Sequence, residues 1–192
     1  MTEWDKMRAG KLYVAGDQAL RQMRMTAKKL CIAYNALPPD ADETQRRDIL
    51  QKLIGHMEDT PHFEPIFRCD YGRNITIGRH FFSNYNLVIL DSAPVFIGDD
   101  VLIGPNVGLF TATHPLDPEQ RASGLELAKP ITIQDGVWIG GGSIINPGVT
   151  VGKGSIIGAG SVVTKDIPPG VIAVGSPCRV LRPLTEADKM PL

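Results

Sequence analysis

The chain has 192 residues, 43% of them apolar and 21% charged, which is the make-up of one or two folded domains and excludes an unstructured tail. Twenty Lys and Arg against 21 Asp and Glu leave a formal charge of −1, so no nucleic-acid interface and no anionic-lipid surface is expected. No apolar run approaches the roughly 20 residues that span a bilayer, and the polar opening Thr2-Glu3-Trp4-Asp5 is unlike a secretory leader, so a cytoplasmic location is expected.

Residues 1–60 read as a helical cap. Leu20, Met23, Ala27, Leu30 and Tyr34 recur at spacings of three and four, which defines one apolar helix face, with Asp17 suited to the N-cap and Pro38-Pro39 closing the helix. A second helix opens at Asp40 or Asp42, where Asp40 and Glu43 resemble a capping box, buries Ile49, Leu50, Leu53 and Ile54, and stops at Gly55. Two helices of this size make no core of their own, so they are expected to pack against the body formed by the rest of the chain. Residues 61–94 show weak repeat character around Ile75-Thr76-Ile77-Gly78 and read as the first, irregular coils of that body. Cys31, Cys69 and Cys178 are odd in number and form no CxxC pair, so reduced thiols are expected.

From there a six-residue period governs the chain. Ile97, Ile103 and Leu109 are each six residues apart, as are Ile133, Ile139, Ile145, Val151, Ile157 and Val163, and the 24 residues between Leu109 and Ile133 keep the phase. Gly98, Gly104, Gly140, Gly152 and Gly158 follow the aliphatic position directly. Six residues suit neither a 3.6-residue helix nor a long alternating strand, but they suit one short extended side plus a tight corner. Three such sides close a triangular coil whose inward aliphatics stack on the next coil, a parallel β-helix. Residues 111–129 leave the period and carry His114, Asp117, Glu119, Arg121 and Glu126, so this polar loop is the leading candidate for chemistry. The coil ends at Ile167-Pro168-Pro169-Gly170, with the β-helix running to about residue 182 and a tail over 183–192.

The motifs Gly10-Lys-Leu-Tyr13, Cys69-Asp-Tyr-Gly72, Asn84-Tyr-Asn86, Thr113-His-Pro-Leu-Asp117, Trp138-Ile-Gly140, Ile145-Asn-Pro-Gly148, Val163-Thr-Lys-Asp166 and Gly175-Ser-Pro-Cys-Arg179 occur together in this order. In them the chain closely resembles the maltose and galactoside O-acetyltransferases and the nodulation O-acetyltransferases, from about residue 9 to 182. The resemblance implies a left-handed parallel β-helix with a helical cap, assembled as a homotrimer, with acetyl-coenzyme A in grooves between subunits. It also implies acetyl transfer to a sugar hydroxyl without a metal or a covalent enzyme intermediate.

The resemblance carries roles onto particular residues. His114 becomes the general base, since a sugar hydroxyl must lose its proton as the new C–O bond forms. The Gly141 amide becomes the donor to the tetrahedral oxyanion. Glu126 positions His114 or the acceptor, or is a solvated loop charge. For acetyl-coenzyme A the matching positions are Asn84, Trp138, Gly141, Ala159 and Thr164, with Lys165, Arg179 and Arg182 as phosphate partners. Asp17, Asp70, Asn84 and Asp91 or Ser92 fall on the acceptor side. Asp17 serves equally well as a helix cap, and Asn84 as a contact to the acetyl end. Asp at 70 and Ser at 92 depart from the galactoside branch and lean toward maltose-type acceptors.

Other functions on the same solenoid are a zinc carbonic anhydrase, a non-catalytic trimeric scaffold, and an acetyltransferase of an antibiotic or another small alcohol or amine. The first needs three convergent histidines, and His56, His62 and His80 mostly lie outside the regular repeat. The second is disfavoured by His114 with Lys165 and Arg179. The third lacks the cap motif Gly10-Lys-Leu-Tyr13.

Overall fold

A computed structural model describes residues 1–191. Its body is a parallel β-helix whose coils contribute one short strand to each of three faces. The first face stacks the strands His56–Met57, Ile75–Ile77, Val95–Ile97, Ile131–Ile133 and Thr150–Val151. The second runs through His62–Phe63, Phe82–Ser83, Leu102–Ile103, Trp138–Ile139 and Ile156–Ile157, and ends in a hairpin of Val171–Gly175 and Cys178–Pro183. The third stacks Arg68–Cys69, Val88–Leu90, Gly108–Phe110, Ile144–Ile145 and Val162–Val163.

The register explains the six-residue period. Ile97 pairs with Ile133 and Ile133 with Val151, Ile103 with Ile139 and Ile139 with Ile157, Leu109 with Ile145 and Ile145 with Val163. Every one of these side chains is buried. Each contributes about 1.5–3 kcal/mol relative to exposure, and together they form one continuous core.

The glycines divide into two sets with different physical reasons. Gly136, Gly142, Gly148, Gly154 and Gly160 take positive φ at successive corners, a conformation His80, Asn86, Asp100 and Asn106 adopt in the earlier coils. The glycines that follow the aliphatics instead permit close stacking. A Cβ on Gly104 would lie 2.5 Å from the Gly141 nitrogen, and one on Gly140 would lie 2.6 Å from the Ala159 nitrogen.

The cap has three helices. The short α1 (Glu3–Arg8) is not apparent from periodicity and rests on a capping box between Thr2 and Asp5. α2 (Gln18–Asn35) is capped by Asp17, whose Oδ1 accepts from the Ala19 and Leu20 amides. α3 (Glu43–Leu53) starts at Asp42, which accepts from the Gln45 amide, so of the two expected starts Asp42 is the cap. Ala27, Cys31 and Tyr34 of α2 with Leu50 and Leu53 of α3 join the β-helix core directly.

Residues 111–129 are more ordered than a loop. Strand Ala112–Thr113, the one-turn helix α4 (Pro118–Ala122) and strand Leu125–Ala128 form a hairpin. Strand Tyr13–Val14 of the cap pairs antiparallel with Leu125–Ala128, making a three-stranded sheet that ties the hairpin to the cap.

Candidate active site

The hairpin and cap bring two groups of polar residues into order. In the hairpin register Ala112 lies opposite Ala128 and Thr113 opposite Leu127, and His114 directly follows the strand. Glu126 is itself paired with Tyr13, whose Oη donates to Glu126 Oε2 at 2.7 Å. The hairpin that carries His114 is therefore tied to the cap at Glu126. Tyr13 is buried, and burial with the neighbouring carboxylate raises its phenol above the ordinary value. His114 is exposed, and among the described residues its ring has no hydrogen-bond partner.

Near Tyr13 and Glu126 lies a carboxylate cluster. Ser92 is within reach of the Tyr13 hydroxyl, and Asp70 feels the charges of Arg24, Lys28 and Glu126. Burial raises the Asp70 carboxyl despite the two cations. Arg24 bridges Tyr71 Oη and the Ala15 carbonyl, holding the chain just before Asp17. Asp91 has no exposed surface, and its carboxylate accepts from the Asp70, Tyr71 and Asn74 amides. Burial pushes it up to about 7. Asp91 thus shapes the turn that presents Asp70, and of the pair Asp91 and Ser92 neither side chain offers much open surface to a ligand. Sequence reasoning gives no role to Tyr13, Arg24, Tyr71 or Asn74, although three of them lie in or beside the cap and Cys69–Gly72 motifs.

A second group lines the stacked corners. Gly140 donates to Ile157 O and Gly142 to Pro105 O, while among the described residues nothing accepts from the Gly141 amide. Gly141 is half-buried, and its nitrogen stacks against Gly104. Trp138 stands on the outer side of its face, 51% exposed, between Leu102 and Ile156. Ala159, Thr164, Lys165 and Arg179 are exposed. Asn84 is half-buried, and its Oδ1 accepts from the Tyr85 amide, leaving the side-chain nitrogen to face outward contacts. Arg182 differs from expectation in being committed: it makes a two-pronged ion pair with Asp188, at 2.6 and 2.8 Å. Phosphate binding there requires that Asp188 be displaced, whereas Lys165 is exposed without such a partner among the described residues. His56, His62 and His80 do not converge; each sits beside its own acid, Glu58, Glu64 and Asp100 respectively.

A β-helix with an extruded histidine hairpin, an open corner amide and a capping sheet defines the class of hexapeptide-repeat acyltransferases. The description "Maltose acetyltransferase hexapeptide capping motif" matches residues 6–58, and "Bacterial transferase hexapeptide (six repeats)" matches residues 130–165. Nodulation protein L of Rhizobium meliloti is 49% identical over 93% of this chain and 97% of its own length. A crystal structure of a maltose O-acetyltransferase from Clostridium difficile superposes with a TM-score of 0.93 at 49% identity, covering 97% of this chain and 99% of that one. A galactoside acetyltransferase in complex with coenzyme A does so with a TM-score of 0.93 at 43% identity, covering 100% and 95%. The chain belongs to the maltose and galactoside O-acetyltransferase family of hexapeptide-repeat acetyltransferases.

Proposed function

We propose that the chain transfers the acetyl group of acetyl-coenzyme A directly to a hydroxyl of a maltose- or glucose-type sugar, as a homotrimer with its active sites between subunits. The observation that carries this reading is the Tyr13–Glu126 bond, which ties the hairpin of His114 to the cap near the buried Asp70 carboxylate. His114 removes the acceptor's proton as its oxygen attacks the thioester carbon, then returns a proton to the departing thiolate. The oxyanion formed between these steps accepts a hydrogen bond from the Gly141 amide, a fixed dipole that needs no reorganisation. Glu126, held by Tyr13, orients the His114 side of the site. Asp70 and Asn84 bond adjacent sugar hydroxyls, and Asp17 joins them while it caps α2. Trp138, Ala159 and Thr164 line the pantetheine groove, and Lys165 and Arg179 meet the phosphates, with Arg182 joining if Asp188 releases it.

Thiol release from acetyl-coenzyme A tests the reading, with glucose, maltose, a galactoside, an aminosugar and chloramphenicol as acceptors. Release with maltose and glucose above the others is expected. Release only with chloramphenicol or the aminosugar would replace the sugar-hydroxyl reading with that of an acetyltransferase of other small molecules. Size-exclusion chromatography with light scattering is expected to return a trimer, and an active monomer would remove the shared groove.

A further inference from the structure

The cap meets the β-helix at two thiols. Cys31, on the inner face of α2, and Cys69, at the end of the strand before Asp70, hold their Sγ atoms 3.7 Å apart. Both are free and buried within their own packing, yet both line a cavity of about 600 Å³ that opens between α2 and the outer side of the third face. Lys28 and Arg68 line the same cavity with Ile32 and Asp70. Two sulfurs in contact, on separate elements and at the wall of one cavity, differ from a cysteine that serves only as a small core residue. Cys178 provides the contrast: it is single, buried, and at the far end of the molecule beside Ser161 and Arg179.

We propose that Cys31 and Cys69 form a peroxide-reactive dithiol that closes to a reversible disulfide between the helical cap and the β-helix. The contact between the two sulfurs lowers the Cys31 thiol, while that contact and burial raise Cys69. In the proposed sequence Cys31 is the attacking sulfur. Its thiolate attacks one peroxide oxygen, the O–O bond breaks, and water leaves after protonation, giving a sulfenic acid at Cys31. The Cys69 sulfur then attacks the sulfenic sulfur, the S–O bond breaks, and a second water leaves with the Cys69 proton. Overall two thiols are oxidised by one hydrogen peroxide, which is reduced to two waters. The bond would pin α2 to the residue preceding Asp70, at the edge of the proposed acceptor site.

The test treats the full-length protein with hydrogen peroxide, blocks the remaining thiols with an alkylating reagent and maps the peptides by mass spectrometry. The expected result is loss of two of the three alkylatable thiols, one intramolecular cross-linked peptide pair containing residues 31 and 69, and full recovery with dithiothreitol. Cys178→Ser is expected to leave that cross-link unchanged, and Cys69→Ser to stop at a trapped sulfenic acid on Cys31. Three alkylatable thiols after peroxide, or oxidation of Cys31 to the sulfinic acid in the wild-type protein without a cross-link, would overturn the proposal. Neither readout depends on acetyl transfer, so it stands or falls separately from the proposed activity.

Discussion

Tyr13 Oη donates to Glu126 Oε2 at 2.7 Å across 113 residues of sequence, and this bond joins the cap to the hairpin that carries His114. It accompanies a two-residue strand pairing, Tyr13 with Glu126 and Val14 with Leu125. Tyr13→Phe keeps the buried ring and removes the donor. We expect a loss of about 1.5–3 kcal/mol in denaturant unfolding, the range for a hydrogen bond to a charged group. On the proposed mechanism the variant also lowers kcat and alters its pH profile, because Glu126, on the hairpin that carries His114, is no longer held by the cap. A destabilised variant with an unchanged pH profile would confine Tyr13 to a structural role.

Gly104 approaches the proposed oxyanion donor closely enough to test it without touching it chemically. An added methyl would lie 2.5 Å from the Gly141 nitrogen and 2.9 Å from its Cα. Gly104→Ala must therefore move the corner that presents this amide. Losing such a donor costs about 10²–10³ in kcat, so a fall of at least tenfold is expected, with the fold intact by circular dichroism. Wild-type kcat in a folded variant would take Gly141 out of the transition state.

Asp17 makes both candidate roles separable. Asp17→Ala removes the acceptor of two α2 amides, and about 1 kcal/mol of stability should go with it. Asp17→Asn retains a capping oxygen, so its unfolding midpoint should stay near wild type. If the carboxylate also bonds the sugar, the Asn variant raises the acceptor KM without that loss of stability. An unchanged KM leaves Asp17 as a cap alone.

Asp91 should leave its mark on stability against pH. Its carboxyl rises from the ordinary 3.8 to about 7 through burial. Between those values the folded protein keeps a proton that the unfolded chain has lost, so this group's contribution is full below about pH 4 and is lost as the pH rises through 7. At about 1.4 kcal/mol per tenfold change in proton affinity, the loss accumulates to a few kcal/mol. Asp91→Asn cannot titrate, so its stability curve should fall less steeply than wild type from pH 4 to 7. Parallel curves for the two proteins would show that Asp91 is already ionised in the folded state.

The β-helix was legible because its information is periodic. Ile133, Ile139, Ile145, Val151, Ile157 and Val163 repeat one local instruction, and each lands in the core. Asp17 as a cap was legible for a similar reason, since its partners are two and three residues away. The rest depends on contacts between distant residues that no local pattern records. The Tyr13–Glu126 strap, the Cys31–Cys69 contact and the burial of Asp91 under its own turn appear only when the chain is folded. Arg182 shows the same limit, because its charge promised a free cation and Asp188, six residues on, claims it. Among the motifs, Gly10-Lys-Leu-Tyr13 held more than it disclosed: its tyrosine is the element that reaches the hairpin.

The role of His114 as the base for direct acetyl transfer is tested most directly by one comparison. Wild type and His114→Ala are measured at saturating acetyl-coenzyme A and maltose, together with the Kd of each for coenzyme A. General-base catalysis contributes about 10²–10⁴-fold, so kcat should fall by at least two orders of magnitude while the coenzyme Kd stays within twofold. A His114→Ala enzyme that binds coenzyme A and turns over maltose at the wild-type rate would contradict that role.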